Sequence, residues 1–154
     1  MNKFITMPLL QKINKYLLLI LILSSCSAPQ KMVLNTSFTT IYKSSNGTYE
    51  NPSYLHITNN EDYIKFIETQ KIDESEFDKL VVVNFKENDV VVLNQGKKST
   101  GGYAIDVEKI SWENETLSVQ KSEIVPNKGD MVTMAFTSPF CVTIIPKAKN
   151  IKIL

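Results

Sequence analysis

Arginine is absent from this chain of 154 residues, and all 17 of its basic side chains are lysines. Arginine is the group that grips phosphate and guanine with two parallel hydrogen bonds. The lysines are scattered among 16 carboxylates rather than gathered in a stripe. Nucleic acid is therefore not an expected partner. Histidine occurs once, at His56, which excludes a zinc site built on paired histidines. No Gly-x-Ser-x-Gly and no phosphate-loop pattern is present, so two common routes to nucleophilic and phosphoryl chemistry are missing. No catalytic constellation, metal or cofactor is expected.

Cysteine is scarce as well, at Cys26 and Cys141. Cys26 follows a run with the three parts of an export signal. Lys3, Lys12 and Lys15 make a positive start without a carboxylate. Leu17 to Leu23 is an unbroken apolar run, and Ser24 and Ser25 are small. The run is far shorter than the roughly 20 apolar residues a spanning helix needs. Leu23-Ser24-Ser25-Cys26 resembles the lipobox of bacterial lipoproteins, which implies cleavage before Cys26 and lipid on its thiol and amine. Two or more acyl chains hold a protein stably on a bilayer, at about 0.8 kcal/mol per buried methylene. Residues 1–25 are thus expected to be a signal peptide, residues 26–35 a lipidated tether and residues 36–154 a folded domain. Ser27, rather than an aspartate, follows the lipid site, which points to the outer membrane on its periplasmic side. Cleavage would leave 14 lysines against 16 carboxylates, a net 14 − 16 = −2 in place of +1.

The remaining chain reads as mainly β with one short α-helix. Thr36 to Tyr42 is rich in β-branched and aromatic residues and reads as a strand. Asn59 or Asn60 is placed to cap a helix, Glu61 and Asp62 suit its positive end, and Tyr63, Ile64, Phe66 and Ile67 follow at helical spacing toward Gln70. Leu80 to Phe85 and Val90 to Leu93 are apolar strand candidates. Tyr103, Ile105 and Val107 alternate, as do Leu117 and Val119. Pro126 to Asp130 is a strong turn. Met131 to Phe136 alternates weakly, Phe140 to Ile145 is a core-like run, and Ile151 to Ile153 reads as a last edge strand. Short strands with frequent turns imply a single-domain antiparallel β-sandwich or a partly open barrel.

Val83-Asn84-Phe85, Val90-Val91-Val92-Leu93 and Gly96-Lys97-Lys98-Ser99-Thr100-Gly101-Gly102-Tyr103 together resemble the C-terminal domain of the PrcB family of protease-complex lipoproteins. Pro126, Thr137-Ser138-Pro139-Phe140 and Ile145-Pro146 follow in the order that family shows. The resemblance spans roughly Ile57 to Ile145, with Asn84 standing where the family usually has aspartate. It implies a non-catalytic partner that helps an exported protease mature or stay assembled at the cell envelope.

Ser99, Thr100, Gly101, Gly102 and Tyr103 are the candidate binding residues. Glycines permit positive φ and close backbone approach, the hydroxyls are polar handles, and Tyr103 suits an interface. A bulge or tight bend entering the Tyr103 strand would use the same residues. Ser99-Thr100-Gly101-Gly102-Tyr103 is also similar to the inhibitory loop of chagasin-type cysteine-protease inhibitors, and Thr137 to Phe140 falls where a second wedge belongs. The Asn-Pro of that loop and the tryptophan of its companion are missing. Cys141, left without an intramolecular partner once Cys26 is lipidated, reads as a buried structural thiol. A Cys141–His56 pair and a Ser99 dyad with Lys97 or Lys98 are the nucleophiles the residues allow. His56, set among apolar neighbours, reads as a residue with a satisfied ring.

Overall fold

Val90 to Leu93 is apolar at every position, which is the signature of a strand covered on both faces. The computed structural model, which describes residues 34–70, 72, 74–80 and 82–154, places it in that way. In strand β4 (Asn88–Asn94), Val90 and Val92 face a helix while Val91 and Leu93 face a second sheet. Strand β7 (Phe140–Pro146) repeats the pattern, with Phe140 and Val142 on the helix side and Cys141 and Ile145 on the other.

The elements run β1 (Leu34–Asn35), β2 (Thr39–Ser44), β3 (Ser53–Ile57), α1 (Asn60–Gln70), a short 3-10 helix (Glu74–Lys79), β4, β5 (Ala104–Glu113), β6 (Thr116–Ile124), β7 and β8 (Asn150–Ile153). One sheet has the order β1-β5-β6-β8 and the other β2-β7-β4-β3. Neither closes into a barrel, and the sandwich expected from the sequence is the architecture found. One pairing departs from antiparallel: β8 runs parallel to β6, with Leu117 opposite Ile151 and Val119 opposite Ile153. The long β6–β7 connection and β7 itself return the chain to the same end before β8 begins, so β8 can only enter in the direction of β6.

The inter-sheet core joins Val91, Leu93 and Cys141 to Ile105, Val107, Ile110, Leu117 and Val119. Strand β5 keeps its apolar residues inward despite the odd step from Val107 to Ile110, because a bulge at Glu108 removes one residue from the count. The sheets are also joined by polar contacts. Thr40 Oγ1 donates to Asp106 at 2.9 Å, and the Lys43 ammonium pairs with the same carboxylate. Burial raises the Asp106 pKa, but the hydrogen bonds from Lys43, Thr40 and the Val107 N–H outweigh it and hold the carboxyl below its usual range.

Helix α1 starts where expected: Asn59 Oδ1 accepts the Asp62 N–H at 2.9 Å, a side-chain cap on an otherwise orphan donor. Tyr63 and Phe66 turn inward against Ile57, Val90, Val92 and Phe140. The helix ends at Gln70, whose amide is bonded both ways to Thr48.

Two apolar runs stay outside the sheets, one of them the strand candidate Leu80 to Phe85 in its described residues. Val82 to Phe85 passes along α1 instead: Val83 is buried and Phe85 packs edge-on to Tyr63, while Val82 is 93% exposed. Asn84 ends the run in a turn, with its side chain accepting the Lys86 N–H and its carbonyl accepting those of Glu87 and Asn88. A carboxylate at this position would accept the same bond. Met131 to Phe136 is the second run, and it stays a loop because its backbone bonds go singly to another loop. The strand at Thr36 to Tyr42 begins and ends later, at Thr39 and Ser44. Strand β3 had no reading of its own, because its alternation merges directly into the helix cap.

Candidate functional site

Three connections meet at one end of the sandwich: residues 45–52 between β2 and β3, 95–103 between β4 and β5, and 125–139 between β6 and β7. Backbone hydrogen bonds stitch them together. Lys98 and Thr137 exchange two bonds, of 2.7 and 3.0 Å. Gly101 N–H donates to Thr133 O at 2.9 Å, Gln95 N–H to Pro139 O at 2.9 Å, and Lys97 N–H to Glu50 O at 3.0 Å. Gly47 N–H donates to Ser138 O at 2.8 Å. Two hydroxyls add to this: Thr137 Oγ1 donates to Thr100 O at 2.8 Å and Ser138 Oγ to Tyr49 O at 2.7 Å. Loops bound to each other in this way present a fixed surface at little further entropic cost on binding.

The five candidate residues take different places in this surface. Ser99 and Gly102 are exposed, Thr100 and Tyr103 are half-buried and Gly101 is buried. Gly102 has φ +86°, and a Cβ there would meet Val132 Cγ1 at 2.9 Å. The Gly101 N–H is not bare, since Thr133 takes it. Lysines lie over two rings: Lys98 Nζ is 5.4 Å from the centre of Tyr103 and Lys97 Nζ 5.4 Å from that of Phe136. Lys97 also pairs with Glu50 at 3.1 Å. Both ammonium groups are thus directed at rings and a carboxylate.

The partner loop carries what the sequence reading missed. Met131, Met134 and Phe136 are 102%, 89% and 73% exposed, and Ile124 and Val125 at the end of β6 are also open. Large apolar groups gathered at one exposed end of a folded domain are the kind of patch that contact surfaces use, and methionine and phenylalanine are enriched in such surfaces. The available signal was the pairing of two methionines and a phenylalanine with a run too weakly alternating for a strand.

The remaining candidates lie elsewhere. His56 Nε2 is 3.0 Å from Asp89 Oδ2, so its ring is satisfied within the fold, and β4 stands between its strand and that of Cys141. Cys141 is fully buried; burial, and then the negative charge of Asp106, pushes its thiol up to about 11. Alkylation of the folded protein with iodoacetamide at neutral pH is expected to leave Cys141 unmodified by mass spectrometry until denaturant is added. Native-state labelling at the rate of a free thiol would overturn that expectation. Cys26 lies outside the described residues, as do the whole signal peptide and most of the tether. Among the described residues no helix is long and apolar enough to cross a membrane.

Residues 90–146, from β4 through β7, match the family model PrcB C-terminal. The match supports membership of that family. The matched PrcB segment opens at Val90, later than the Ile57 expected, and contains both long loops of the stitched end in full. No curated protein and no solved structure matches the chain.

Proposed function

We propose that this protein is a membrane-anchored, non-catalytic accessory subunit that holds an exported protease through the stitched loop end of its PrcB domain. The observation that carries the reading is the set of exposed side chains Met131, Met134 and Phe136 on loops fixed by backbone hydrogen bonds. The PrcB family relationship supplies the nature of the partner. Lipid on Cys26 holds the domain at the bilayer, on the periplasmic face of the outer membrane. Ser99 to Tyr103 contributes as the scaffold beneath the apolar residues and as the polar rim of the contact.

The test is co-purification of an exported protease from native membranes with the wild-type protein and with the double variant Met134→Asp/Phe136→Asp. Both side chains are largely solvent-exposed, so the fold should be retained. Loss of two central apolar contacts costs about 2–4 kcal/mol of binding, which is at least tenfold in affinity. Undiminished protease recovery with the double variant would remove the loop end from the interface. A parallel Cys26→Ala variant should leave the membrane fraction and lose incorporation of labelled palmitate.

A second reading is favoured by one observation: the Ser99 to Tyr103 and Thr137 to Phe140 segments lie side by side, joined through Lys98 and Thr137. The Ser99 to Tyr103 loop, exposed at Ser99 and Gly102, then enters a protease cleft as a chagasin-like wedge, while Ser138, Pro139 and Phe140 are buried and support it from within the fold. On that reading the protein inhibits a papain-like protease and Tyr103→Ala abolishes the inhibition. Full protease activity at saturating protein would eliminate it.

A further inference from the structure

Each sheet has two edges, and an unblocked edge is a template for another strand. Three of the four edges carry a device that discourages pairing. Strand β1 is two residues long among the described residues. Strand β2 is broken by a register shift between Thr40 and Tyr42 and displays Lys43. Strand β8 displays Lys152 and is preceded by Lys147 and Lys149. Strand β3 has none of these. All five of its residues, Ser53 to Ile57, pair with β4 without a shift. The whole stretch from Asn51 to Asn60 holds no lysine and no carboxylate. Beyond the β4 ladder the β3 backbone makes one further bond among the described residues, Asn94 Nδ2 donating to Ser53 O at 3.1 Å from within the same strand pair, and Tyr54 is half exposed.

We propose that β3 is a dimerisation edge, on which a second copy of the chain adds its own β3 antiparallel about a two-fold axis. Such an interface must be complementary to itself. With the axis at Leu55, Tyr54 of each copy faces His56 of the other, Ser53 faces Ile57, and Leu55 faces its counterpart. The pairing joins an aromatic ring to an imidazole twice and opposes no like charges, which is the favourable cross-strand arrangement. The same operation on β2 or β8 would bring lysines into the joint. The result is one continuous eight-stranded sheet, built from two copies of the four-stranded sheet β2-β7-β4-β3. Its loop ends remain open, so this inference stands apart from the protease-binding reading.

The experiment uses the full chain, expressed in its native membrane and extracted in mild detergent. Directly opposed residues of an antiparallel pair lie about 4.5–5.5 Å apart at Cα, within disulfide range. Leu55→Cys should therefore give a disulfide-linked dimer on mild oxidation. Cys141 is buried, and the wild-type chain oxidised alongside reports any cross-link through Cys26. Sedimentation should show a wild-type dimer, and Tyr54→Lys should weaken it by about tenfold or more through the charge it places in the joint. Circular dichroism reports whether either variant folds. Folded Leu55→Cys that does not cross-link, wild type that sediments as a monomer, or a dimer indifferent to Tyr54→Lys overturns the proposal.

Discussion

Replacing Asp89 by alanine should destabilise the domain by about 3–5 kcal/mol, the range for removing one partner of a buried charge cluster. Asp89 is 1% exposed. Its oxygens accept from His56 Nε2 at 3.0 Å, from Lys147 Nζ at 3.2 Å and from the Ala148 N–H at 3.0 Å. One carboxylate thus ties β3, β4 and the β7–β8 connection at the end of the sandwich opposite the loops. Alanine leaves the Ala148 N–H with no acceptor in a buried place, an added cost of about 1–3 kcal/mol if nothing rearranges. Lys147 loses less, since it keeps the carbonyl of Phe85 at 2.8 Å. Native domains are stable by only about 5–15 kcal/mol, so a large fraction of the total is at stake. Urea denaturation of the two proteins measures the difference. Asp89→Asn, which retains one acceptor oxygen, should fall between them. A shift of less than about 0.5 kcal/mol for Asp89→Ala would show the cluster to be energetically idle.

Gly96→Val should cost about 2–5 kcal/mol by a different route, combining a left-handed backbone with overpacking. Gly96 has φ +69°, and a Cβ built on it lies 2.7 Å from both Asn51 C and Pro52 N. Those are backbone atoms held by the bond between Lys97 N–H and Glu50 O, and they cannot rotate aside as a side chain would. β-Branching makes the positive φ worse. Gly96→Ala should show the same sign with a smaller loss. Ser99→Ala, three residues further and exposed, should stay within about 0.5 kcal/mol of the wild type. Thermal unfolding of the three variants gives the order; a Gly96→Val protein as stable as Ser99→Ala would mean that the 45–52 loop shifts freely. Because Gly96 seats that loop beside the 95–103 loop, Gly96→Val should also blunt protease recovery.

Much of this was legible in the sequence where local and global demands coincide. Val90 to Leu93 and Phe140 to Ile145 are apolar at nearly every position because both of their faces are covered, and no loop needs that. The α1 cap and its inward face were equally plain, since Asn59, Tyr63 and Phe66 each do locally what the fold asks. The errors arose where hydrophobicity has more than one use. Val83 and Phe85 are apolar to pack against α1, and Met131, Met134 and Phe136 are apolar while facing outward. Composition alone does not distinguish a side chain that fills a core from one that fills a partner's groove. Strand β3 was missed for the reverse reason, as an edge strand needs little hydrophobicity and its pattern runs into the next element. In the loop end, Ser99 to Tyr103 was visible through its glycines. Its partner across the Lys98–Thr137 bonds lies more than thirty residues on, and pairing at that distance leaves no local mark.

The bulge in β5 has a bearing on how the length of this strand can vary. Glu108 stands outside the one-to-one pairing of β5 with β6: Val107 faces Lys121 and Lys109 faces Gln120, with nothing opposite the residue between. Its side chain is held from across the ladder by Gln120 Nε2, at 3.0 Å. Deleting Glu108 would leave Ile105, Val107, Ile110 and Trp112 all on the inner face, whereas deleting a paired residue on either side would turn one half of the strand inside out. The bulge at position 108 is therefore a point where β5 can lose one residue and keep its core face.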